Sequence, residues 1–450
     1  MRKIQFGCII FLSIFLGSCS KYLDKKQDQS LVVPQTLSDI QALLDNNNLM
    51  NLGSYGDGEV SADNYYLTDA GWASMSQQGD RNAYIWGDEI TYTQLNNEWL
   101  SLYQSAYYAN TALGALGQIN LGAKDSTVAN NIKGEALFFR ARDFHILATA
   151  WAKAYDSTTA STDLGIPIRT GTDFNVVSVR ASVQDTYNQI IQDLRAAIPL
   201  LPVQAINVMR PSKTAAYGFL ARVYLSMRDY VDAGKYADSS LALNGTLLDF
   251  NSLNPAATYP VAQFNAEVLF HSSSTPPAIY NTICKIDSTL YASYATNDLR
   301  KTVFFSKNTD NSYAFKGSYF GSANLFMGLA IDEIYLMRAE CSARLGNLTA
   351  AMNDLNSVMI KRWKTGTFTP FSAATQQVAL QTVLTERRKE LLMRDLRWMD
   401  IKRLNKEGAN IIPKRYLNGV IYQLQPNENR YALPIPAYVI GVSGMPQNPR

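Results

Sequence analysis

Histidine is nearly absent from this 450-residue chain, which has only His145 and His271. Metal sites built from clustered imidazoles, and relays passing protons among several of them, are thereby excluded as a dominant chemistry. Cysteine is scarce too. Of four, Cys8 and Cys19 fall near the N-terminus, so Cys284 and Cys341 could form at most one disulfide. Cys341 lies in an apolar helical stretch, where a buried free thiol is the plainer expectation. Excess charge is lacking as well: with residues 1–18 set aside, 39 basic side chains stand against 38 acidic ones. Nucleic-acid binders and polybasic membrane binders draw their affinity from a basic surface, so neither class fits. Catalytic signatures are missing: no Ser-His-Asp order, no metal-spaced His/Cys set and no glycine-rich phosphate loop occurs. No cofactor or metal site is indicated, and the chain does not read as an enzyme.

What is abundant is aromatic. The chain carries 26 Tyr, 18 Phe and 6 Trp, ample material for surfaces that bind by stacking. Its N-terminus is informative in another way. Arg2 and Lys3 precede Ile9–Leu16, a run apolar except for Ser13. That run is about half the ~20 residues needed to span a bilayer and ends in small residues, so residues 1–18 read as a cleaved signal peptide. Leu16-Gly17-Ser18-Cys19 then resembles a bacterial lipobox, whose cysteine thiol takes a diacylglycerol thioether before cleavage in front of it. Two or three acyl chains at about 0.8 kcal/mol per buried CH₂ hold a protein at a membrane durably. Residues 19–36 are the expected lipidated N-terminus and tether.

The rest reads as an all-α scaffold. Thr36 and Asp39 have capping-box spacing, and Leu37, Ile40, Leu43 and Leu44 give one apolar face, so a short helix is expected over 37–45. Leu137, Ala141, Phe144, Ala148 and Trp151 form one helical stripe; Val183, Tyr187, Ile190, Leu194, Ala197 and Leu201 form another, capped by Ser182 with Asp185. Further helices are expected near 94–118, 212–227, 231–243, 329–345, 349–363 and 376–404. Two helix pairs repeat one another at an offset of 118 residues: Tyr217-x₂-Leu220-Ala221-x₂-Tyr224 with Ala233-x₃-Ala237, and Tyr335-x₂-Arg338-Ala339-x₂-Ser342 with Ala351-x₃-Leu355. Both follow a degenerate tetratricopeptide (TPR) arrangement, and their separation rules out a regular solenoid. In the charge-rich stretch from Glu386 to Arg403 acidic and basic residues alternate, with Glu390 and Arg394 at i,i+4, so it reads as a structural ion-pair helix rather than a basic patch.

Between the pairs, residues 245–327 lose helical periodicity and gain Ser, Thr and Asn while remaining aromatic. A similar patch occupies 53–92. Long irregular segments within a folded body are usually functional. Trp72 is the leading ligand candidate, because it lies among small and polar residues with no periodicity to draw it inward. Tyr65, Tyr66, Tyr313 and Tyr319 follow, each set against the alternative of a tyrosine roofing the core; Tyr84 and Trp86 read as structural.

The order of several short motifs resembles the SusD/RagB nutrient-uptake lipoproteins of the Bacteroidetes outer membrane. They are Cys19-Ser20-Lys21-Tyr22-Leu23-Asp24, the helix of Trp99, Tyr103 and Asn110, Gly134-Glu135-Ala136-Leu137-Phe138-Phe139-Arg140-Ala141, Tyr187-x₂-Ile190-Ile191-x-Asp193-Leu194, Lys213-x₂-Ala216, Glu386-Arg387-Arg388-Lys389-Glu390-Leu391, Arg397-Trp398-x-Asp400, Pro434-Ile435-Pro436 and Gln447-Asn448-Pro449. The chain departs from the pattern at Arg394-Asp395, where the family often has Glu-Gly, and at Val439-Ile440, which lacks the usual acidic residue.

The resemblance implies one α-helical body over 37–450, with TPR-like helices at about 94–244 and 329–404 and variable ligand loops at about 245–327. It also implies a lipoprotein anchored through Cys19 at the outer membrane and exposed at the cell surface. Such a protein captures oligosaccharides, or in some members peptides, for a SusC-like TonB-dependent transporter. Two other readings stand beside it: a TPR adaptor that binds only protein, and a glycan hydrolase using paired acids such as Asp57/Glu59 or Asp88/Glu89.

Overall fold

The computed structural model describes residues 34–450 apart from 54–55, 89–96, 120–121, 123–124, 275–278 and 280–281; the expected signal peptide, Cys19 and the tether as far as residue 33 lie outside the described residues. The longer helices are α1 (Leu37–Leu44), α2 (Glu98–Leu116), α3 (Ser126–Trp151), α4 (Val183–Ala197), α5 (Lys213–Met227) and α6 (Tyr230–Leu243). They continue as α7 (Ile331–Arg344), α8 (Leu348–Met359), α9 (Gln376–Glu390) and α10 (Arg397–Asn405), so the fold is all-α. Strands are short and pair in twos: β1 (Tyr65–Tyr66), β2 (Val268–Phe270), β3 (Ser273–Ser274), β4 (Lys285–Ile286), β5 (Phe305–Lys307), β6 (Tyr313–Phe315), β7 (Leu325–Phe326), β8 (Leu329–Ala330), β9 (Lys414–Leu417) and β10 (Val420–Gln423).

Helix starts follow the caps in the sequence. The Asp39 amide donates to Thr36 Oγ1 at 3.2 Å, and the Thr36 amide donates to Asp39 Oδ2 at 3.0 Å, which closes the capping box of α1. Ser182 caps α4 in the same manner through the Asp185 amide at 3.0 Å. The TPR-like pairs α5–α6 and α7–α8 form as expected and pack through small residues. A Cβ on Gly234 would lie 3.2 Å from Cys341 Cβ, and one on Gly218 only 2.6 Å from Ile334 Cδ1, so these glycines set how closely α7 approaches. Cys284 and Cys341 are both free and buried, and burial pushes the Cys341 thiol up to about 12.

At the centre lies α3, buried on all sides from Gly134 to His145. It carries charge inward. Arg140 forms a bidentate pair with Asp193 on α4, at 2.8 and 2.7 Å, and also donates to Asn110 Oδ1 on α2 at 2.8 Å. Three motifs far apart in sequence thus close on one guanidinium. His145 packs in the core with Nε2 3.2 Å from Ser226 Oγ, and burial lowers its pKa to about 3, which keeps it neutral.

The stretch expected as one helix over 376–404 is two. α9 stops at Glu390, and Met393 and Asp395 both take φ of +59° before α10 begins. Glu390 and Arg394 are therefore not one turn apart on a single helix face. Glu390 instead accepts from Arg362 at 2.6 Å and from Arg300 at 3.1 Å, while Arg394 pairs with Asp332 at 2.8 Å. Alternating charge here marks a buried network rather than a solvated helix face.

Asp395 holds a left-handed conformation that costs a non-glycine residue about 1–2 kcal/mol. Its Oδ1 is enclosed without a hydrogen-bond partner. Burial, with Glu98 and Glu59 nearby, holds its carboxyl well above the usual carboxylate range, and burial raises Glu59 to about 7. A carboxyl whose folded pKa is raised stabilises the fold most below its unfolded pKa and loses that contribution as pH rises. Asp395→Gly is therefore expected to raise the unfolding free energy by about 1–2 kcal/mol from the backbone alone, with a larger gain at pH 8 than at pH 5. Urea unfolding at the two pH values reads the difference. An equal or smaller gain at pH 8 would mean that the carboxyl is not strained by its neighbours.

Candidate functional site

Three irregular segments meet on one face. β1 pairs antiparallel with β4, placing Tyr66 opposite Lys285. Because strand side chains alternate, the neighbouring tyrosines part company: Tyr66 is 38% exposed and Tyr65 only 2%. The short helix Asp69–Ser74, capped by Thr68 Oγ1 accepting from the Gly71 amide at 3.1 Å, leans on Ile283 just before β4. It carries Trp72, which is half-buried against the core, with its indole N–H donated to the Arg81 carbonyl at 3.0 Å. The ring is thus held by its edge.

The third segment is the β5–β6 hairpin. Tyr313, half-buried at the start of β6, stacks on Tyr291 with centroids 3.5 Å apart and planes at 15°. Its loop is fixed by Lys285, whose ammonium donates to Asp310 Oδ2 at 2.6 Å and Ser312 Oγ at 3.0 Å. The hydrogen bond from Lys285, then those from Ser312, hold the Asp310 carboxyl well below the usual carboxylate range. Lys285 therefore joins the Tyr66 strand to the Tyr313 hairpin. The β9–β10 hairpin borders the same surface, since the Asn418 amide donates to Asp69 Oδ1 at 2.8 Å.

Of the sequence candidates, Trp72, Tyr66 and Tyr313 reach this face, and Tyr291, named in the sequence only among many loop aromatics, joins them. Tyr65 and Tyr319 do not. Tyr65 donates its hydroxyl to the Val60 carbonyl at 2.9 Å and, with Tyr84 and Trp86, encloses the Arg415 guanidinium at 5.2, 4.4 and 4.9 Å from the ring centroids. Tyr319 is 1% exposed, bonded to Glu267 and covered by Arg394 at 4.1 Å. Each buries an aromatic ring that no ligand can stack upon, and each satisfies its hydroxyl internally. Cys19 lies outside the described residues.

The acids considered for hydrolysis are differently placed. Asp57 and Glu59 are buried, and Glu59 accepts from Asn64 Nδ2 and from the Asp395 amide, both at 2.8 Å. Asp88 is exposed. Among the described residues, no group of three or more His, Cys, Asp or Glu is placed to hold a metal ion.

Architecture and surface define a helical scaffold in which TPR-like pairs support a face built from irregular loops. Residues 21–225 match the SusD-like family described as starch-binding and associating with the outer membrane. Among solved structures, a SusD superfamily protein from Bacteroides thetaiotaomicron is 22% identical with a TM-score of 0.75, over 92% of this chain and all of that one. A SusD superfamily protein from Bacteroides vulgatus is 21% identical with a TM-score of 0.75, over 92% and 99% of the two chains. A SusD-like carbohydrate binding protein from the same organism is 20% identical with a TM-score of 0.69, over 91% and 97%. Nothing among curated proteins matches in sequence. Sequence pattern and fold agree: residues 21–225, a little under half of the chain, are similar to that SusD-like family, and the whole described body shares the fold of the SusD superfamily structures.

Proposed function

We infer that this protein captures oligosaccharides on the face formed by Trp72, Tyr66, Tyr313 and Tyr291 and passes them to a TonB-dependent transporter. The observation that carries this reading is that Tyr66 stands opposite Lys285, whose ammonium holds the hairpin bearing the stacked Tyr313–Tyr291 pair, with the Trp72 helix leaning on Ile283 just before that lysine's strand, in a chain similar to a starch-binding family. A sugar ring presents axial C–H groups to an aromatic face and hydroxyls at its edge. The rings supply the first kind of contact; Lys285, Asp310 and Ser312 lie close by for the second. Attachment through Cys19 would keep the protein at the outer membrane. No described helix is long and apolar enough to cross a membrane; in this reading the transporter supplies the pore for the captured sugar.

Trp72→Ala is expected to weaken oligosaccharide binding by about 1–3 kcal/mol, the scale of one stacked aromatic with its buried area. Its indole packs partly on the core, so a modest loss of melting temperature should accompany this. Calorimetric titration of the mature protein with a panel of glucans and other oligosaccharides measures it. A folded protein that binds none of them, or a variant that binds as the parent does, would remove this face from the function. Co-purification with a β-barrel transporter from native membranes tests the partner separately. Isolation without one, while sugar binding persists, would leave a binder that serves another route.

A further inference from the structure

A cavity of about 310 Å³ lies on other elements altogether, shares no residue with the face around Trp72, and does not depend on that reading. Its floor is one side of α2, where Trp99, Tyr103, Tyr107 and Asn110 recur at helical spacing. The segment 165–181 closes it from above, and Val439 and Met445 from the side.

The segment is built rather than draped. Its base is zipped by Gly165 N to Ala181 O at 2.8 Å and Ala181 N to Ile166 O at 3.1 Å. Asn110 Nδ2 holds it to α2 through the Arg169 carbonyl at 2.7 Å, and the Tyr103 hydroxyl does so through the Pro167 carbonyl at 2.7 Å. Arg169 then turns its guanidinium on the segment itself, donating to the carbonyls of Asp173 (2.7 Å) and Val176. Phe174, 76% exposed, is brought to 4.9 Å from the Tyr107 ring and forms the rim.

These bonds decide what the cavity can hold. The polar groups of Asn110 and Tyr103 are already spent on the segment, and Arg169 also donates to Ser178 Oγ at 3.4 Å, leaving the hydroxyls of Tyr107 and Thr172 and the hydroxyl proton of Ser178. A pyranose, with hydroxyls all round its edge, would leave several of them unpaired on entry. A cation would meet the Arg169 charge, and an anion would compete with the carbonyls of Asp173 and Val176 for that guanidinium. A flat apolar ring loses nothing and gains four aromatic neighbours. Volume agrees, since a cavity of about 150 Å³ takes benzene, so this one accepts a single or fused ring and little more. We propose that the cavity between α2 and residues 165–181 binds one neutral planar aromatic group, carried either as a free phenol or indole or as the aglycone of an aryl glycoside.

Indole, p-cresol and p-nitrophenyl β-glucoside are titrated into the mature protein by calorimetry, with ring-proton NMR on the same samples. One saturable site is expected, weakened about three- to tenfold by Phe174→Ala, the scale of one aromatic contact. Phe174 is exposed, so its removal should leave the melting temperature unchanged. Tyr107→Ala gives a second reading from the opposite wall, and Trp72→Ala should have no effect. Tighter binding of the free rings identifies a small aromatic as the ligand, and tighter binding of the glucoside identifies an aglycone. No saturation by any probe at millimolar concentration, or binding unchanged in both pocket variants, overturns the proposal. Transfer of the effect to Trp72→Ala would assign the rings to the sugar face and also overturn it.

Discussion

Arg362→Met is expected to lower the unfolding free energy by about 3–5 kcal/mol, the cost of removing one partner from a buried ion pair. Arg362 is fully enclosed and donates to Glu390 at 2.6 Å, to Glu267 at 2.7 Å and to the Leu248 carbonyl at 2.6 Å, with the Phe250 ring 4.1 Å beneath it. Methionine replaces much of the packing but none of the charge. Glu390 keeps Arg300 and Glu267 keeps Tyr319, so the damage falls on carboxylates that retain some but not all of their support. Urea unfolding measures the loss, and Arg362→Met with Glu267→Gln should recover part of it because the stranded charge is gone. A loss below about 1 kcal/mol would place these charges in the class of solvated surface pairs.

Trp151→Ala should cost a similar amount, about 3–5 kcal/mol, by a different mechanism. The indole is fully buried at the end of α3, meets Trp99 edge-on at 5.5 Å and donates to the Pro434 carbonyl at 3.2 Å. Truncation opens a cavity and leaves that carbonyl short of a donor. Trp151→Phe, which keeps most of the volume and loses only the N–H, should cost much less. Equal losses for the two variants would mean that the hydrogen bond, not the cavity, dominates.

Both sites illustrate what a sequence discloses. Trp151 was legible because it falls on the stripe of Leu137, Ala141, Phe144 and Ala148, and periodicity is a local property. The capped starts of α1 and α4 and the two TPR-like pairs were legible for the same reason. Arg362 was not: its acidic partner Glu267 is 95 residues away, and nothing in either neighbourhood announces the other. The break after Glu390 was missed because neither glycine nor proline marks it; the left-handed turns fall on Met393 and Asp395, a thioether and a carboxylate, the second standing at the position noted above as a departure from the Glu-Gly pattern. On the candidate face, composition pointed to the right segments but could not separate Tyr65 from Tyr66, since which of two adjacent residues faces inward is set by the pairing of β1 with β4. Tyr291 gained its place from a stacking partner 22 positions on, a contact made by the β5–β6 hairpin.

The way the chain is clasped at long range bears on when it can fold. The Asn448 side chain holds the Trp151 carbonyl across 297 positions, Arg415 reaches the Ala62 carbonyl across 353, and Arg450 reaches the Trp86 carbonyl across 364. The carbonyls of Ala62, Trp86 and Trp151 are therefore satisfied by groups synthesised hundreds of residues later. A nascent chain lacking them carries open carbonyls and half-covered rings, and closing loops of this length is slow. Such a polypeptide stays threadable until its translation is nearly over, which suits the export expected from the signal-peptide pattern of residues 1–18.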